Sequence, residues 1–101
     1  MGGREKRGSR RVPVNCKVKL KVLGSRETFY GIGRDLSVDG ILIESEYVPR
    51  FGEYLEVHVL PAHAGGPAVA PLSAMIQVQR CNRVAAGPQY EIGGRIARIL
   101  N

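Results

Sequence analysis

Two short groups of residues in this chain have side chains suited to an anionic nucleotide. The first is a pair of arginines, Arg7 and Arg11, and the second is Asp35, Ser37 and Gly40 in the spacing Asp-x-Ser-x-x-Gly. An arginine guanidinium matches both a pair of phosphate oxygens and the O6/N7 edge of guanine. The aspartate offers an acceptor for guanine N–H groups, the serine adds a hydroxyl, and the glycine permits close backbone approach or positive φ. Together these groups suit a ligand that carries both guanine and phosphate.

The arginine pair lies in a strongly basic N-terminal segment. Residues 1–11 contain five of the chain's 15 lysines and arginines and one acidic residue, and the formal net charge of the whole chain is +6. Such a segment attracts a compact polyanion, nucleic acid or an acidic membrane about equally well, so charge alone does not choose among them. Lys6 and Arg10 are candidates for further phosphate contacts, although either could equally be solvated. Residues 1–11, which we call the arm, have one apolar residue, Met1, with which to pack against the rest of the protein. We therefore expect the arm to be mobile until a ligand orders it.

The two motifs together resemble the signatures of the PilZ family, which are Arg-x-x-x-Arg and Asp/Asn-x-Ser-x-x-Gly. The resemblance extends from about residue 6 to residue 96 and implies a receptor for the bacterial second messenger cyclic di-GMP. It also implies a six-stranded barrel, often followed by a C-terminal helix. A basic residue at the position of Lys6 tends, in this family, to accompany two intercalated ligand molecules. The ligand-binding residues that we predict are Arg7, Arg11, Asp35, Ser37 and Gly40, joined by Lys6 and Arg10.

Each motif also has a simpler interpretation. A basic N-terminal segment is often only a solubilising, disordered tail. Asp39-Gly40 between apolar residues is a common hairpin signal, and Asp35 and Ser37 are ordinary turn residues. A second functional class is a small basic barrel that binds single-stranded nucleic acid, which requires a sheet face with several exposed aromatics. The four Tyr and two Phe are scattered and Trp is absent, so nucleic acid is the less favoured partner. A third class is a PilZ-type adaptor that has lost nucleotide binding, but such members typically lack the motif arginines.

The elements that must position these groups are short strands. From residue 12 to residue 23, apolar and polar residues alternate with a period of two, which is typical of a half-buried strand. Comparable patterns predict further strands at 28–36, 41–43, 54–60, 72–84 and 90–96, and a Gly- and Pro-rich stretch at 61–71 predicts a flexible loop. We therefore predict an all-β fold: a small six-stranded antiparallel β-barrel over residues 12–101, a flexible basic arm over residues 1–11, and little or no C-terminal helix.

Other polar residues carry weaker signals. Arg80, Arg83 or Tyr90 could supply a second rim of the pocket from a late strand, although core packing is the more usual role for a tyrosine. Arg34 flanks the second motif and more often would point to water. His58 alternates with valines and is expected to face solvent.

Composition excludes several classes of protein. A chain of 101 residues forms one domain, and it contains no apolar run near the ~18 residues that cross a bilayer. The basic N-terminus leads into no apolar stretch typical of a secretory signal, which predicts a cytoplasmic protein with Cys16 and Cys81 reduced. Neither His58 nor His63 has a serine or cysteine partner by spacing, and zinc-site spacing is absent. We therefore predict a protein that is not an enzyme, uses no cofactor or metal and signals to an unidentified effector protein.

Overall fold

The computed structural model describes residues 11–60, 71–84 and 87–101. Six strands account for most of this part of the chain, and they are β1 (Val12–Val22), β2 (Thr28–Leu36), β3 (Gly40–Ser45), β4 (Tyr54–Val59), β5 (Leu72–Arg83) and β6 (Tyr90–Ile99). Neighbouring strands are antiparallel, and the order β1-β2-β3-β6-β5-β4 closes the sheet into a barrel. The predicted six-stranded antiparallel β-barrel is confirmed, and the three described ranges contain no helix.

The alternating sequence pattern places apolar side chains inside the barrel. In β1 the side chains of Cys16, Val18 and Leu20 are buried, whereas Lys17 and Lys21 are exposed. The same alternation in the other strands fills the interior with aliphatic residues; the largest fully buried ones are Leu20, Ile43, Leu55, Ile76 and Ile92. Burial of such side chains is the main source of stability in a barrel of this size.

The regular pairing is interrupted at positions that later prove to border the candidate site. The β2–β3 register shifts between Gly33 and Asp35, and the β5–β6 register shifts between Val78 and Arg80. Such bulges insert an extra residue into one strand and change the direction in which its neighbours point. Polar residues are thereby presented on the outer surface without disturbing the apolar interior.

Both cysteines are free thiols in this fold. Cys16 is buried and Cys81 is half-buried. Burial raises the pKa of each thiol above the ordinary value of a cysteine. Within the described ranges, no helix is long and apolar enough to cross a membrane. The predicted arm lies outside the described residues except for Arg11, and so does the predicted loop except for Pro71.

Candidate ligand-binding site

The second sequence motif forms the tight turn between β2 and β3. Leu36 lies opposite Ile41 in the ladder, and the N–H of Ser37 donates to the carbonyl oxygen of Gly40 at 2.9 Å. The Ser37 hydroxyl oxygen accepts hydrogen bonds from the N–H groups of Asp39 (3.2 Å) and Gly40 (3.1 Å). The two residues between Ser37 and Gly40 are therefore the tip of the hairpin, rather than the Asp39-Gly40 pair of the simpler interpretation. The serine fixes the shape of this turn through its side chain.

Gly40 allows this turn to sit directly against β6. A Cβ atom at Gly40 would lie 2.7 Å from the carbonyl oxygen of Gly94, a separation that real Cβ atoms do not tolerate. The N–H of Ile96 donates to the carbonyl oxygen of Asp39 at 2.7 Å, which ties the turn to the same strand. Of the two roles expected for this glycine, close approach is the one observed, since positive φ occurs instead at Gly24, Gly52 and Gly87.

An open cavity of about 450 Å³ lies beside this turn, where β3, β6 and β5 are adjacent. Its lining combines residues of the hairpin with three arginines that come from separate parts of the chain: Arg11 just before β1, Arg80 in β5 and Arg95 in β6. The remaining described lining residues are Ser37, Asp39, Gly40, Ile41, Leu42, Gln79, Gly93 and Gly94. A concave surface lined by several arginines is suited to an anion with planar, hydrogen-bonding groups.

Arg80 owes its position to a glycine on the neighbouring strand. Arg80 lies opposite Gly93 in the β5–β6 ladder, just after the bulge. A Cβ atom at Gly93 would lie 2.9 Å from Nε and 3.1 Å from Cγ of Arg80, so the arginine side chain passes directly over this residue. The absence of a side chain at Gly93 lets the guanidinium lie close to the sheet surface. An arginine in this position can stack on a planar base or fork onto its edge.

Arg95 is held in place by a chain of hydrogen bonds. Its Nη2 donates to Oε1 of Gln77 at 3.0 Å, and Nε2 of Gln77 donates to the carbonyl oxygen of Gly52 at 3.2 Å. The glutamine therefore connects an arginine of the cavity to the turn that precedes β4. A guanidinium with five donors keeps most of them available after one such bond.

Asp35 lies one strand away from the cavity. It is half-buried and lies opposite Leu42 of β3, which in turn lies opposite Gly93 of β6. Leu42 and Gly93 line the cavity, whereas Asp35 is not among the described residues that do so. Its neighbour Arg34 forms an ion pair with Glu44 at 3.2 Å, with 43% of the arginine side chain exposed. Such an exposed pair contributes little to stability.

The structure brings together part of the predicted site and adds to it. Arg11, Ser37 and Gly40 line one cavity, and of the three candidates for a second rim only Arg80 joins them. Arg83 and Tyr90 lie opposite each other elsewhere in the β5–β6 ladder. Three predicted ligand-binding residues lie outside the described residues: Lys6, Arg7 and Arg10.

Sequence reasoning missed Arg95 and Gln79 as residues of the cavity. The signal for Arg95 was present, since it follows Gly93-Gly94 in a strand whose alternation directs it outward next to the second motif. This pattern predicts a place in the cavity only when β6 is known to pair with β3, and the sequence alone does not reveal that pairing. Gln79 enters the cavity at the β5–β6 bulge, which no residue pattern marked.

A second polar cluster lies on β4 and β5, and its existence corrects the expectation that neither histidine has a serine partner. His58 Nδ1 lies 2.7 Å from the Ser73 hydroxyl, and His58 Nε2 lies 3.0 Å from Oε2 of Glu56. These are the residue types of a hydrolase triad. However, the N–H of Ser73 is itself bonded to Oδ1 of Asn101 at 3.0 Å, and none of the three residues lines a described cavity. We interpret the cluster as a cross-strand hydrogen-bond network.

The described residues include no group of three or more histidines, cysteines or carboxylates placed to hold a metal ion. The described charged residues that line the cavity are Arg11, Arg80, Arg95 and Asp39. Three guanidiniums around one opening favour a ligand with more than one negative charge.

No family model matches this sequence, and no curated protein matches it. Solved structures with the same fold include the two that follow. The Bacillus subtilis inhibitor of motility, MotI/DgrA, superimposes with a TM-score of 0.73 at 15% identity, over 95% of this chain and 44% of that one. The PilZ domain of YcgR from Escherichia coli, solved with c-di-GMP, superimposes with a TM-score of 0.67 at 15% identity, over 92% of this chain and 79% of that one.

These comparisons define the fold class of the protein. The barrel has a PilZ-like fold, and the resemblance predicted from the two motifs is confirmed at the level of the fold. The chain spans less than half the length of the B. subtilis protein that it matches, so the activity and partners of that protein are not transferred to it.

Proposed function

We propose that this protein is a receptor for cyclic di-GMP and that the nucleotide binds in the cavity beside the Ser37–Gly40 turn. The observation that supports this proposal best is the meeting of the two motifs: Arg11 of the first and the turn of the second line one cavity. Arg80 and Arg95 add two more guanidiniums. A structural neighbour with the same fold was solved with c-di-GMP, which supports the choice of ligand.

Each group has a chemical role in this proposal. The guanidiniums of Arg11, Arg80 and Arg95 bind phosphate oxygens or the O6/N7 edge of guanine, and one of them stacks on a base. Asp35 accepts hydrogen bonds from guanine N1–H and N2–H, which no cation could do. Ser37 contributes its hydroxyl, and Gly40 lets the turn that carries this serine lie against β6. Three residues of the arm add further cationic contacts: Lys6, Arg7 and Arg10.

We further propose that residues 1–11 act as an arm that becomes ordered over the bound nucleotide, while residues 12–101 form the barrel that holds it. The ordered arm and the adjacent surface would then contact an effector protein in the cytoplasm. Free thiols at Cys16 and Cys81 agree with a reducing compartment. The protein in this proposal performs no chemistry on its ligand and acts as a binding switch.

Calorimetric titration of the full-length protein with cyclic di-GMP tests the proposal, with GTP and a short single-stranded oligonucleotide as controls. We expect cyclic di-GMP to bind and Arg7→Ala or Arg11→Ala to weaken binding at least tenfold, because a charge-assisted hydrogen bond contributes about 1.5–3 kcal/mol. Asp35→Ala and Ser37→Ala should weaken cyclic di-GMP binding while weak attraction to the oligonucleotide persists. An Arg11→Ala variant with unchanged affinity and unchanged melting temperature would show that the arm does not contribute to the binding site. If Asp35→Ala tightened binding to both cyclic di-GMP and the oligonucleotide, the result would support a nucleic-acid-binding protein instead.

A further inference from the structure

Gln77 of β5 bridges an arginine of the cavity and a backbone carbonyl. It lies opposite Arg95 in the β5–β6 ladder. Its Oε1 accepts a hydrogen bond from Nη2 of Arg95 at 3.0 Å, and its Nε2 donates to the carbonyl oxygen of Gly52 at 3.2 Å. Gln77 is not among the described residues that line the cavity, so it would act on a bound ligand through Arg95.

The two partners of Gln77 explain why an amide stands at this position. A guanidinium only donates hydrogen bonds and a carbonyl oxygen only accepts them, so the side chain between them must accept at one end and donate at the other. Turning the amide over would place its NH₂ group against the guanidinium and its oxygen against the carbonyl of Gly52, and both bonds would be lost. The bridge therefore fixes one orientation of the Gln77 amide.

The Gly52 end of this bridge is firmly held. The N–H of Gly52 donates to the carbonyl oxygen of Val78 at 2.8 Å, and the N–H of Val78 donates to the carbonyl oxygen of Glu53 at 2.8 Å. The carboxylate of Glu53 in turn accepts a hydrogen bond from the N–H of Arg50 at 2.8 Å. Through Gln77, the guanidinium of Arg95 is thus tied to a turn that is itself hydrogen-bonded to β5.

The acceptor that holds Arg95 carries no charge. Among the described residues Arg95 forms no ion pair, whereas the guanidinium of Arg34 is paired with the carboxylate of Glu44 at 3.2 Å. A carboxylate beside a guanidinium offsets its attraction for a second anion, whereas an amide oxygen restricts its position and leaves its charge available. Arg95 is exposed, and an exposed arginine loses rotamer freedom when a ligand fixes it. Holding the guanidinium in advance lowers that cost of binding.

We propose that Gln77 is a positioning residue for anion binding in the cavity, because it restrains the guanidinium of Arg95 without neutralising it. This inference rests on the proposed function, in which Arg95 binds a phosphate or the edge of a guanine. A carboxylate at this position would hold the arginine but oppose the anion. An apolar side chain would leave the arginine free to move.

Calorimetric titration of full-length variants with cyclic di-GMP and with inorganic pyrophosphate tests this proposal. Gln77→Met removes both hydrogen bonds at similar side-chain length, and we expect it to weaken cyclic di-GMP binding by about three- to tenfold. Gln77→Glu should weaken binding at low salt, and its effect should shrink as added salt screens the new charge. Asn82→Asp is the matched control, since it makes the same amide-to-carboxylate change at an exposed position of β5 outside the cavity lining. It should change the affinity by no more than about twofold.

The double variant Gln77→Met, Arg95→Ala separates positioning from a purely structural role. It should bind no more weakly than Arg95→Ala alone, since the methionine then has no guanidinium to release. A purely structural role would instead lower the melting temperature and weaken binding in both backgrounds. We therefore expect Gln77→Met to melt close to the parent when the same samples are heated.

Unchanged affinity in Gln77→Met, or an equal further loss from this substitution in the Arg95→Ala background, would overturn the positioning role. If Gln77→Met does not fold, Gln77→Glu decides, because low-salt affinity equal to that of the parent would contradict the need for a neutral acceptor. A parent protein that binds pyrophosphate but not cyclic di-GMP would refute the proposed function alone, and the same variants titrated with pyrophosphate would then decide the role of Gln77. A parent that binds neither anion would overturn both proposals.

Discussion

The position of Arg80 over Gly93 gives the sharpest test of the candidate site. In Gly93→Ala the new Cβ would lie 2.9 Å from Nε of Arg80, whereas ordinary contacts begin at 3.4 Å. The arginine side chain must therefore move by about 0.5 Å or more, and shifts of about 0.5–1 Å are enough to weaken a positioned contact. If Arg80 makes one charge-assisted contact to the ligand, its complete loss corresponds to about 1.5–3 kcal/mol. At 1.4 kcal/mol for each factor of ten, Arg80→Ala should weaken binding roughly 10- to 150-fold.

Gly93→Ala should weaken cyclic di-GMP binding by part of that factor while the barrel remains at least as stable. The backbone of Gly93 is not at positive φ, and replacing such a glycine by alanine stabilises a fold by about 0.4–1 kcal/mol. Calorimetry and thermal melting of the same samples would separate the two effects.

The double variant Gly93→Ala, Arg80→Ala decides whether the glycine acts through the arginine. It should bind no more weakly than Arg80→Ala alone, since the alanine then has no guanidinium to displace. Arg83→Ala is the matched control, because it removes the same charge from the same strand outside the cavity and should leave affinity unchanged. An equal further loss from Gly93→Ala in the Arg80→Ala background would refute the positioning role, and unchanged affinity in Arg80→Ala would remove β5 from the site.

Three further outcomes are expected. Amide hydrogen exchange should show the N–H groups of residues 6–11 protected only when cyclic di-GMP is present, and equal protection with and without ligand would contradict arm ordering. Titration should give a ratio near two nucleotides per chain, falling toward one in Lys6→Leu, because each added cation offsets repulsion between the four phosphate charges of two bound ligands. A ratio of one in both proteins would show that Lys6 does not decide whether one or two ligand molecules bind. Burial, reinforced by the hydrogen bond to Glu53, raises the pKa of Tyr47 to about 12. A tyrosine hydroxyl in the unfolded chain titrates near pH 10, so the stability that Tyr47 contributes through its raised pKa is complete below pH 10 and is lost as the pH rises through 12. If Tyr47→Phe leaves the dependence of stability on alkaline pH unchanged, this contribution is contradicted.

The fold was predictable because most of the strands carry a simple alternating pattern, clearest in β1, β4 and β5. Residues 12–23 alternate between apolar and polar, so a strand formed by them can bury only one of its faces. The glycines and prolines between such segments mark where the chain turns. The boundaries of β2 agree with the predicted ones, and β1, β4 and β5 each end one residue earlier than predicted. β6 runs on to Ile99, three residues beyond its predicted end, because pairing with β5 continues there across the Met75/Ile76 bulge.

The candidate site was predictable only where its residues lie in local motifs. Ser37 and Gly40 form a turn whose hydrogen bonds span three residues, so their spacing carries the information. Arg95 and Arg80 reach the cavity because β6 lies between β3 and β5, an order set by how the whole barrel closes. His58 and Ser73 meet for the same reason, since they are opposite each other in the β4–β5 ladder although 15 residues apart in the chain. Long-range strand pairing leaves no trace in the spacing of a single sequence.

The closed order of the strands also limits how this protein can recognise other chains. Each of the six strands has a neighbour on both sides, so the described part of the barrel offers no edge strand to which another polypeptide could add. Recognition must then use side chains on the outer surface and the turns at its ends. Because the outward residues alternate with the buried ones, they can be exchanged without altering the apolar interior. The same barrel can therefore acquire different partners by surface substitution alone, while remaining protected from edge-to-edge aggregation.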